Sequence, residues 1–180
     1  PDDAKGGLKQ ALVTADGGID LSSGQLVIDL ADTSMKSEIK NSGSDNSVAY
    51  GVWSAGSGND VFNVEGNTLY AYLRLSEIQL ADTTDGLKLN ASGLSTDTTL
   101  SAKITDYETT AGKIVFEGGN ITIGGSNTYT GETEVTGGTV TLAKNSGFGT
   151  TSKLSIASGA KVDIGGYSHT VGSLFFFRGD

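Results

Sequence analysis

The chain of 180 residues contains no cysteine, one histidine and one proline. Without cysteine it cannot form a disulfide framework, a thiolate zinc site or a cysteine nucleophile. The proline is Pro1, so no later residue lacks a backbone N–H for a sheet hydrogen bond. Helical periodicity is scarce as well, with one weak candidate over residues 4–14. These absences favour a fold made of strands.

Basic charge is also scarce. The 12 Lys and Arg residues are dispersed among 21 Asp and Glu, which gives a net charge of −9. This balance excludes a basic footprint for nucleic acid and opposes docking on anionic lipid. No apolar run approaches the roughly 20 residues of a membrane-spanning helix. The sequence does not begin with Met, so we expect a piece of a longer protein or a processed form.

The most informative feature that is present is a repeat in the last third of the chain. Each copy has an alternating apolar run, a glycine-bearing turn and a second alternating run. The copies are residues 114–123 (IVFEGGNITI), 133–142 (TEVTGGTVTL) and 154–164 (LSIASGAKVDI). The turn glycines Gly119, Gly138 and Gly159 recur at offsets of 19 and 21 residues. A fixed period near 20 built from short strands predicts a solenoid of stacked coils.

Looser copies extend this pattern toward the N-terminus, around Gly24, Gly66 and Gly93. Offsets of 27 and 26 residues link Gly66, Gly93 and Gly119, which indicates small insertions in two coils. We therefore divide the chain into residues 1–110, irregular β-helix coils with insertions, and residues 111–180, regular repeat coils.

The predicted fold is all-β, a right-handed parallel β-helix with coils of roughly 20 residues. In one coil, Val135, Val140 and Leu142 are expected to point inward and Thr133 outward. The alternative is an antiparallel β-sandwich, which also has many short strands but needs no constant spacing. The glycine-rich composition is compatible with disorder, but the regular recurrence of apolar positions opposes that interpretation.

Residues 127–142 (NTYTGETEVTGGTVTL) are similar to the β-strand repeat of autotransporter passenger domains, in the AIDA and pertactin-like adhesin group. That repeat is typically N-x-Y-T-G-x-T-x-[VI]-x-x-G-T-[LV]-x-[LV]. Its usual continuation corresponds here to GFG at 147–149, LSI at 154–156, GAKVDIGG at 159–166 and HTVGSL at 169–174. His169 stands where glutamine is commoner, and the pattern is lost after Leu174 in FFFRGD.

The resemblance implies a C-terminal stem or autochaperone-type fragment of a passenger secreted by Gram-negative bacteria through type V secretion. Such a fragment promotes passenger folding and outer-membrane translocation, and supports adhesion, self-association and virulence at the extracellular surface. Its partners would be the remaining passenger and the C-terminal outer-membrane β-barrel, together with a host surface protein or glycan, or a second copy. The repeat and folding residues would be Gly119, Tyr129, Gly131, Val135, Gly138, Val140, Leu142, Gly159, Val162, Ile164, Gly172 and Leu174.

Two short motifs suggest other functions. Residues 55–63 (AGSGNDVFN) resemble one calcium-binding nonapeptide of repeat-in-toxin proteins, but no second copy completes a site. Residues 178–180 spell the integrin-binding tripeptide Arg-Gly-Asp, a string that is common by chance. We therefore expect no metal and no cofactor.

An enzyme is the alternative class, because parallel β-helices also host polysaccharide lyases and glycosidases. Such sites need paired carboxylates about 5–9 Å apart. Candidates are Asp82, Asp85, Asp106 and Glu108, which we expect instead to be solvated turn residues. His169, the single imidazole, has no evident orienting partner and is expected in a polar turn. The sequence thus favours a non-enzymatic protein.

An aromatic group departs from the repeat and consists of Tyr50, Trp53, Phe62, Tyr70 and Tyr72. The simpler interpretation is that these rings fill a widened coil, a cap or a packed loop. The alternative is an exposed patch that binds a protein or a glycan.

Overall fold

The computed structural model describes residues 8–14, 16–17, 34–41, 47–55 and 62–177. Within these ranges the chain forms fifteen strands and no helix. The described residues therefore contain no helix that could cross a membrane. The strands are β1 Leu8–Thr14, β2 Ser34–Ile39, β3 Ala49–Ala55, β4 Phe62–Glu65, β5 Thr68–Leu80, β6 Leu87–Asn90, β7 Thr98–Leu100, β8 Lys103–Asp106, β9 Ile114–Gly118, β10 Asn120–Ile123, β11 Thr133–Val135, β12 Thr139–Leu142, β13 Leu154–Ile156, β14 Lys161–Asp163 and β15 Leu174–Phe176. Residues 8–14 of the weak helical candidate form strand β1, and residues 4–7 lie outside the described residues.

The chain divides into two compact units, Pro1–Ser37 with Val52–Ser76 and Glu38–Gly51 with Glu77–Asp180. In the first unit, the beginning of β5 pairs antiparallel with β1 and with β4. The turn between β4 and β5 contains Gly66, which has a positive φ of 58°. The coil predicted around Gly66 is therefore wrong, because its two runs form an antiparallel hairpin. The copy predicted around Gly24 lies outside the described residues.

The second unit contains two parallel sheets that confirm the predicted β-helix. One sheet has the strand order β6-β9-β11-β13-β15, and the other has the order β7-β10-β12-β14. In the first sheet, Leu87, Ile114, Thr133, Leu154 and Leu174 lie in register. Successive coils thus contain 27, 19, 21 and 20 residues. These parallel sheets form a solenoid of about 5 turns.

A third face closes each coil. It begins where β8 pairs parallel with the end of β5. Backbone hydrogen bonds continue it through later coils, from Thr128 N to Ile104 O at 2.9 Å and from Thr150 N to Tyr129 O at 3.1 Å. Three stacked faces around one axis enclose a continuous interior.

That interior is an apolar column built by alternate residues of each strand. The inward residues of the two parallel sheets between β9 and β13 are at most 8% exposed: Ile114, Phe116, Ile121, Ile123, Thr133, Val135, Val140, Leu142, Leu154 and Ile156. Burial of Val135, Val140 and Leu142 confirms the predicted inward positions. The outward position predicted for Thr133 is wrong, because residues two apart on a strand share a face and Thr133 is fully buried beside Val135.

Candidate functional site in the regular coils

A chain of buried hydroxyl groups joins the regular coils. The Thr133 hydroxyl donates to Thr151 Oγ1 at 3.0 Å, and Thr151 donates to the Gly131 carbonyl oxygen at 2.6 Å. Because the Thr133 hydrogen is used in this way, the Tyr129 phenol donates to Thr133 Oγ1 at 2.7 Å. Burial raises the pKa of the Tyr129 phenol above its ordinary value of 10.0. Thr133 was predicted to face outward, although its position two residues before Val135 places it on the inward face. Thr151 lies between strands, where no alternation indicates burial.

Asn127 links three coils through one buried carboxamide. Its Oδ1 accepts a hydrogen bond from Ile104 N at 2.8 Å in the preceding coil. Its Nδ2 donates to Gly147 O at 2.6 Å in the following coil. The side chain is buried, so both bonds are protected from water and hold the register of neighbouring coils.

Two glycines of the resemblance motif lie where the coils approach too closely for a side chain. A Cβ on Gly131 would lie 2.0 Å from the Gly112 carbonyl oxygen. A Cβ on Gly138 would lie 2.2 Å from the Gly119 carbonyl oxygen, and Gly138 also has a positive φ of 72°. Glycine is therefore needed at both positions for the observed stacking distance.

The last coil exposes the apolar column, and we call this surface the open end. It consists of Val162, Ile164, Leu174, Phe176 and Phe177. Val162 lies in register with the buried Val140, yet it is half-buried, and Ile164 is 54% exposed. On β15, Leu174 is 49% and Phe176 is 68% exposed, whereas the residues below them on β13 are buried. The open end borders an apolar groove of about 710 Å³.

The opposite end of the same stack is closed by a side chain. Asn41 Oδ1 accepts a hydrogen bond from Lys88 N at 2.9 Å, and Asn41 Nδ2 donates to Gly86 O at 2.8 Å. These bonds satisfy backbone groups on the edge of β6, and Leu87 on that strand is buried. The open end therefore exposes apolar side chains, whereas at the β6 end Leu87 is buried and Asn41 bonds to backbone groups.

The remaining predicted repeat residues lie at turns. Gly119 and Gly159 have positive φ angles of 75° and 80°. Gly172 donates its N–H to Thr151 O at 2.9 Å. His169 is half-buried after the Gly165–Gly166 turn, and its Nδ1 accepts a hydrogen bond from Gly147 N at 3.3 Å. This contact agrees with the polar-turn role expected for the imidazole.

The predicted aromatic patch is divided between the two units. Tyr50 belongs to the second unit, where its ring centroid lies 4.5 Å from that of Tyr107. In the first unit, Trp53 Nε1 donates to Ser37 Oγ at 2.8 Å. The buried Tyr72 donates to Glu65 Oε1 at 2.9 Å, and Tyr70 is half-buried. The side chain of Phe62 lies outside the described part. Tyr107 was not predicted from the sequence, because it lies far along the chain from Tyr50, the residue that it contacts.

The predicted acidic residues are placed at turns. Asp82 Oδ1 accepts backbone hydrogen bonds from Thr84 and Asp85 at 2.7 and 2.9 Å. Burial of Asp82 disfavours its charged form, but its backbone hydrogen bonds outweigh that effect and hold its pKa below the ordinary 3.8. Asp106 Oδ2 accepts the Thr130 hydroxyl at 2.6 Å.

Asp85 and Glu108 are exposed. Where the structure describes side chains, no three His, Asp or Glu residues cluster in a way that could hold a metal ion. Most of the predicted calcium segment, residues 56–61, and the Arg-Gly-Asp string at 178–180 lie outside the described residues.

Comparison with known proteins gives a partial sequence match. No protein-family model matches the chain, and no solved structure matches it. The chain is 35% identical over 112 residues to an uncharacterized protein of Escherichia coli strain K12, YuaQ. The match covers 59% of this chain and 8% of YuaQ. The chain thus spans only a small part of that relative's length.

Proposed function

We propose that this chain is a stem or autochaperone-type segment of an autotransporter passenger at the bacterial cell surface. In this proposal the segment folds outside the outer membrane, promotes folding and translocation of its own passenger, and supports adhesion or self-association. Its partners are the remaining passenger and the outer-membrane β-barrel through which the passenger was exported.

The observation that carries the proposal is the position of the motif residues. Asn127, Tyr129 and Gly131 of the N-x-Y-T-G string each make contacts that cross from one coil to the next. The motif therefore has a physical role in joining coils, beyond its likeness to a family pattern. A segment that joins its own coils tightly is suited to start the folding of a solenoid.

Coil-by-coil folding also supplies a physical basis for export without an energy source outside the cell. Each regular coil buries several apolar side chains, each worth about 1.5–3 kcal/mol before the cost of ordering the chain. Once a coil has formed, sliding back through a pore would require it to unfold. The exposed column at the open end offers strand edges and apolar side chains on which another coil could stack.

A non-catalytic role is part of the proposal. Asp82 and Asp106 are engaged by turn backbone and by Thr130, which supports a structural use for both carboxylates. A reducing-sugar assay on bacterial and host polysaccharides tests this part. We expect no turnover, and reproducible turnover that is lost in Asp106→Asn would favour the polysaccharide-acting enzyme.

The proposal is tested by deleting residues 127–174 from the full-length protein that contains this chain. We expect loss of protease-resistant passenger at the cell surface, with recovery when the segment is supplied as a separate chain. Deletion of residues 93–96, exposed residues by which the β6–β7 connection is longer than the β11–β12 connection, is the matched control and should leave display intact. Protease-resistant display after the larger deletion would contradict the folding role.

A further inference from the structure

The first coil of the parallel stack, residues 87–113, carries an inserted turn on its surface. This coil has 27 residues, against 19 to 21 in the next three. Part of the difference lies in residues 107–113, which connect β8 to β9. Insertions in a solenoid leave the stacked core unchanged and project from one face, where they are free to take on a binding function.

The inserted turn is held firmly in place. Thr110 N donates to Tyr107 O at 2.9 Å, and Lys113 N donates to Asp82 O at 2.7 Å. A Cβ on Gly112 would lie 2.4 Å from the Leu80 Cβ, so the turn packs directly on the core strand β5. The side chains of this turn are therefore presented in a fixed arrangement, which lowers the entropic cost of binding.

Within the turn, Glu108 adopts a backbone conformation that is unfavourable for its side chain. Its φ is 53°, in the left-handed region that glutamate seldom occupies. Glycine would fit this position without strain, yet the sequence places an exposed carboxylate there. Such positions occur in tight turns and at functional sites, so Glu108 is a candidate functional residue.

Beside Glu108 lies a pair of aromatic rings. The Tyr50 and Tyr107 ring centroids are 4.5 Å apart and the rings are inclined by 33°. Both residues are half-buried, so part of each remains accessible. Glu108 directly follows Tyr107 in the turn, and its carboxylate raises the pKa of the Tyr107 phenol. The turn thus combines aromatic surface with a carboxylate acceptor.

We propose that Tyr50, Tyr107 and Glu108 form a binding site for a neutral glycan. The C–H face of a sugar ring packs on aromatic surface, and its hydroxyl groups donate charge-assisted hydrogen bonds to a carboxylate. Acidic or sulfated glycans fit poorly, because Glu108 and the exposed Asp85 on the adjacent turn are negative and the chain carries a net charge of −9. The proposal depends only on contacts within the second unit and holds whether or not the chain belongs to an autotransporter.

The test measures binding of tri-N-acetylchitotriose, maltotriose and a heparin oligosaccharide to the purified chain by titration calorimetry and saturation-transfer NMR. The informative variant is Glu108→Gly, which removes the carboxylate and relieves the backbone strain. Its matched control is Ser146→Gly, because Ser146 has a similar positive φ of 55° away from the aromatic pair. Tyr107→Phe and Tyr107→Ala test the ring.

We expect millimolar or tighter binding of at least one neutral oligosaccharide and none of heparin. Glu108→Gly and Tyr107→Ala should weaken binding by about tenfold or more. Ser146→Gly should leave binding unchanged, and both glycine variants should keep or raise the melting temperature. Absence of neutral-glycan binding would overturn the proposal, as would equal binding by the wild type and Glu108→Gly. A preference for heparin would overturn it as well.

Discussion

Replacement of Asn127 by alanine removes a side chain that bonds to the coil on each side of its own. The substitution leaves Ile104 N and Gly147 O without their partner, and both residues are buried. A buried backbone group that loses its hydrogen bond costs about 1–3 kcal/mol. Allowing for partial relaxation of the two coils, Asn127→Ala should lower the free energy of unfolding by about 2–4 kcal/mol.

The matched control is Asn120→Ala in the same coil. Asn120 is exposed, and its Nδ2 donates to Asp97 Oδ1 at 2.9 Å on the surface, where water replaces the lost bond. This variant should change the unfolding free energy by less than about 1 kcal/mol. Urea denaturation followed by far-UV circular dichroism measures both. Similar losses in the two variants would refute the claim that the Asn127 carboxamide holds the coil register.

Three further comparisons probe the stack. Gly159→Ala should cost about 1–2 kcal/mol through its positive φ alone, since no atom lies near its Cβ position. Gly138→Ala should cost a further 1–3 kcal/mol or so, because its Cβ would also meet a carbonyl oxygen; equal losses in urea titrations would refute this. Leu142→Ala should lose about 2–5 kcal/mol, and the half-exposed Leu174→Ala clearly less; the reverse order of denaturation midpoints would contradict the assigned core. Tyr129 keeps its proton in the folded state after the unfolded phenol has ionised, so stability should fall as pH rises above 10 by about 1.4 kcal/mol per unit. Tyr129→Phe should lessen that slope, and an unchanged slope in alkaline denaturation would contradict the buried phenol.

The regular coils were predictable from the sequence because their signals are local and repeated. Alternation of apolar residues located Val135, Val140 and Leu142 in the interior. Glycine at matching turn positions anticipated the positive φ of Gly138. Each copy predicts strands at the same positions. Because the copies recur at a nearly fixed period, they also predict that equivalent strands of successive coils pair in parallel.

The hairpin at Gly66 was not predictable in the same way. A short apolar run on each side of a glycine turn is compatible with a parallel coil or with an antiparallel hairpin. The direction of pairing depends on which distant strand completes the sheet, here β1 beside β5. The copy around Gly66 has no neighbouring copies at constant spacing, so the sequence pattern predicted the wrong pairing direction for its two strands.

The candidate sites were only partly accessible from sequence. Asn127 and Tyr129 were marked by the motif. Thr133, which bonds to Tyr129, and Thr151, which bonds to Thr133, were not predicted to be buried. The Tyr50–Tyr107 contact joins residues far apart in the chain, and only the folded structure brings them together.

We propose that the apolar column of the regular coils drives passenger folding during export. The most direct measurement compares surface display of Val140→Asp and Thr139→Asp in the full-length protein. Val140 is 1% exposed, so an aspartate there places a charge in the column. Thr139 lies on the same strand, half-buried and in register with Lys161, so we expect an aspartate there to be tolerated. We predict that Val140→Asp abolishes protease-resistant display and Thr139→Asp preserves it; equal display of the two variants would contradict the claim.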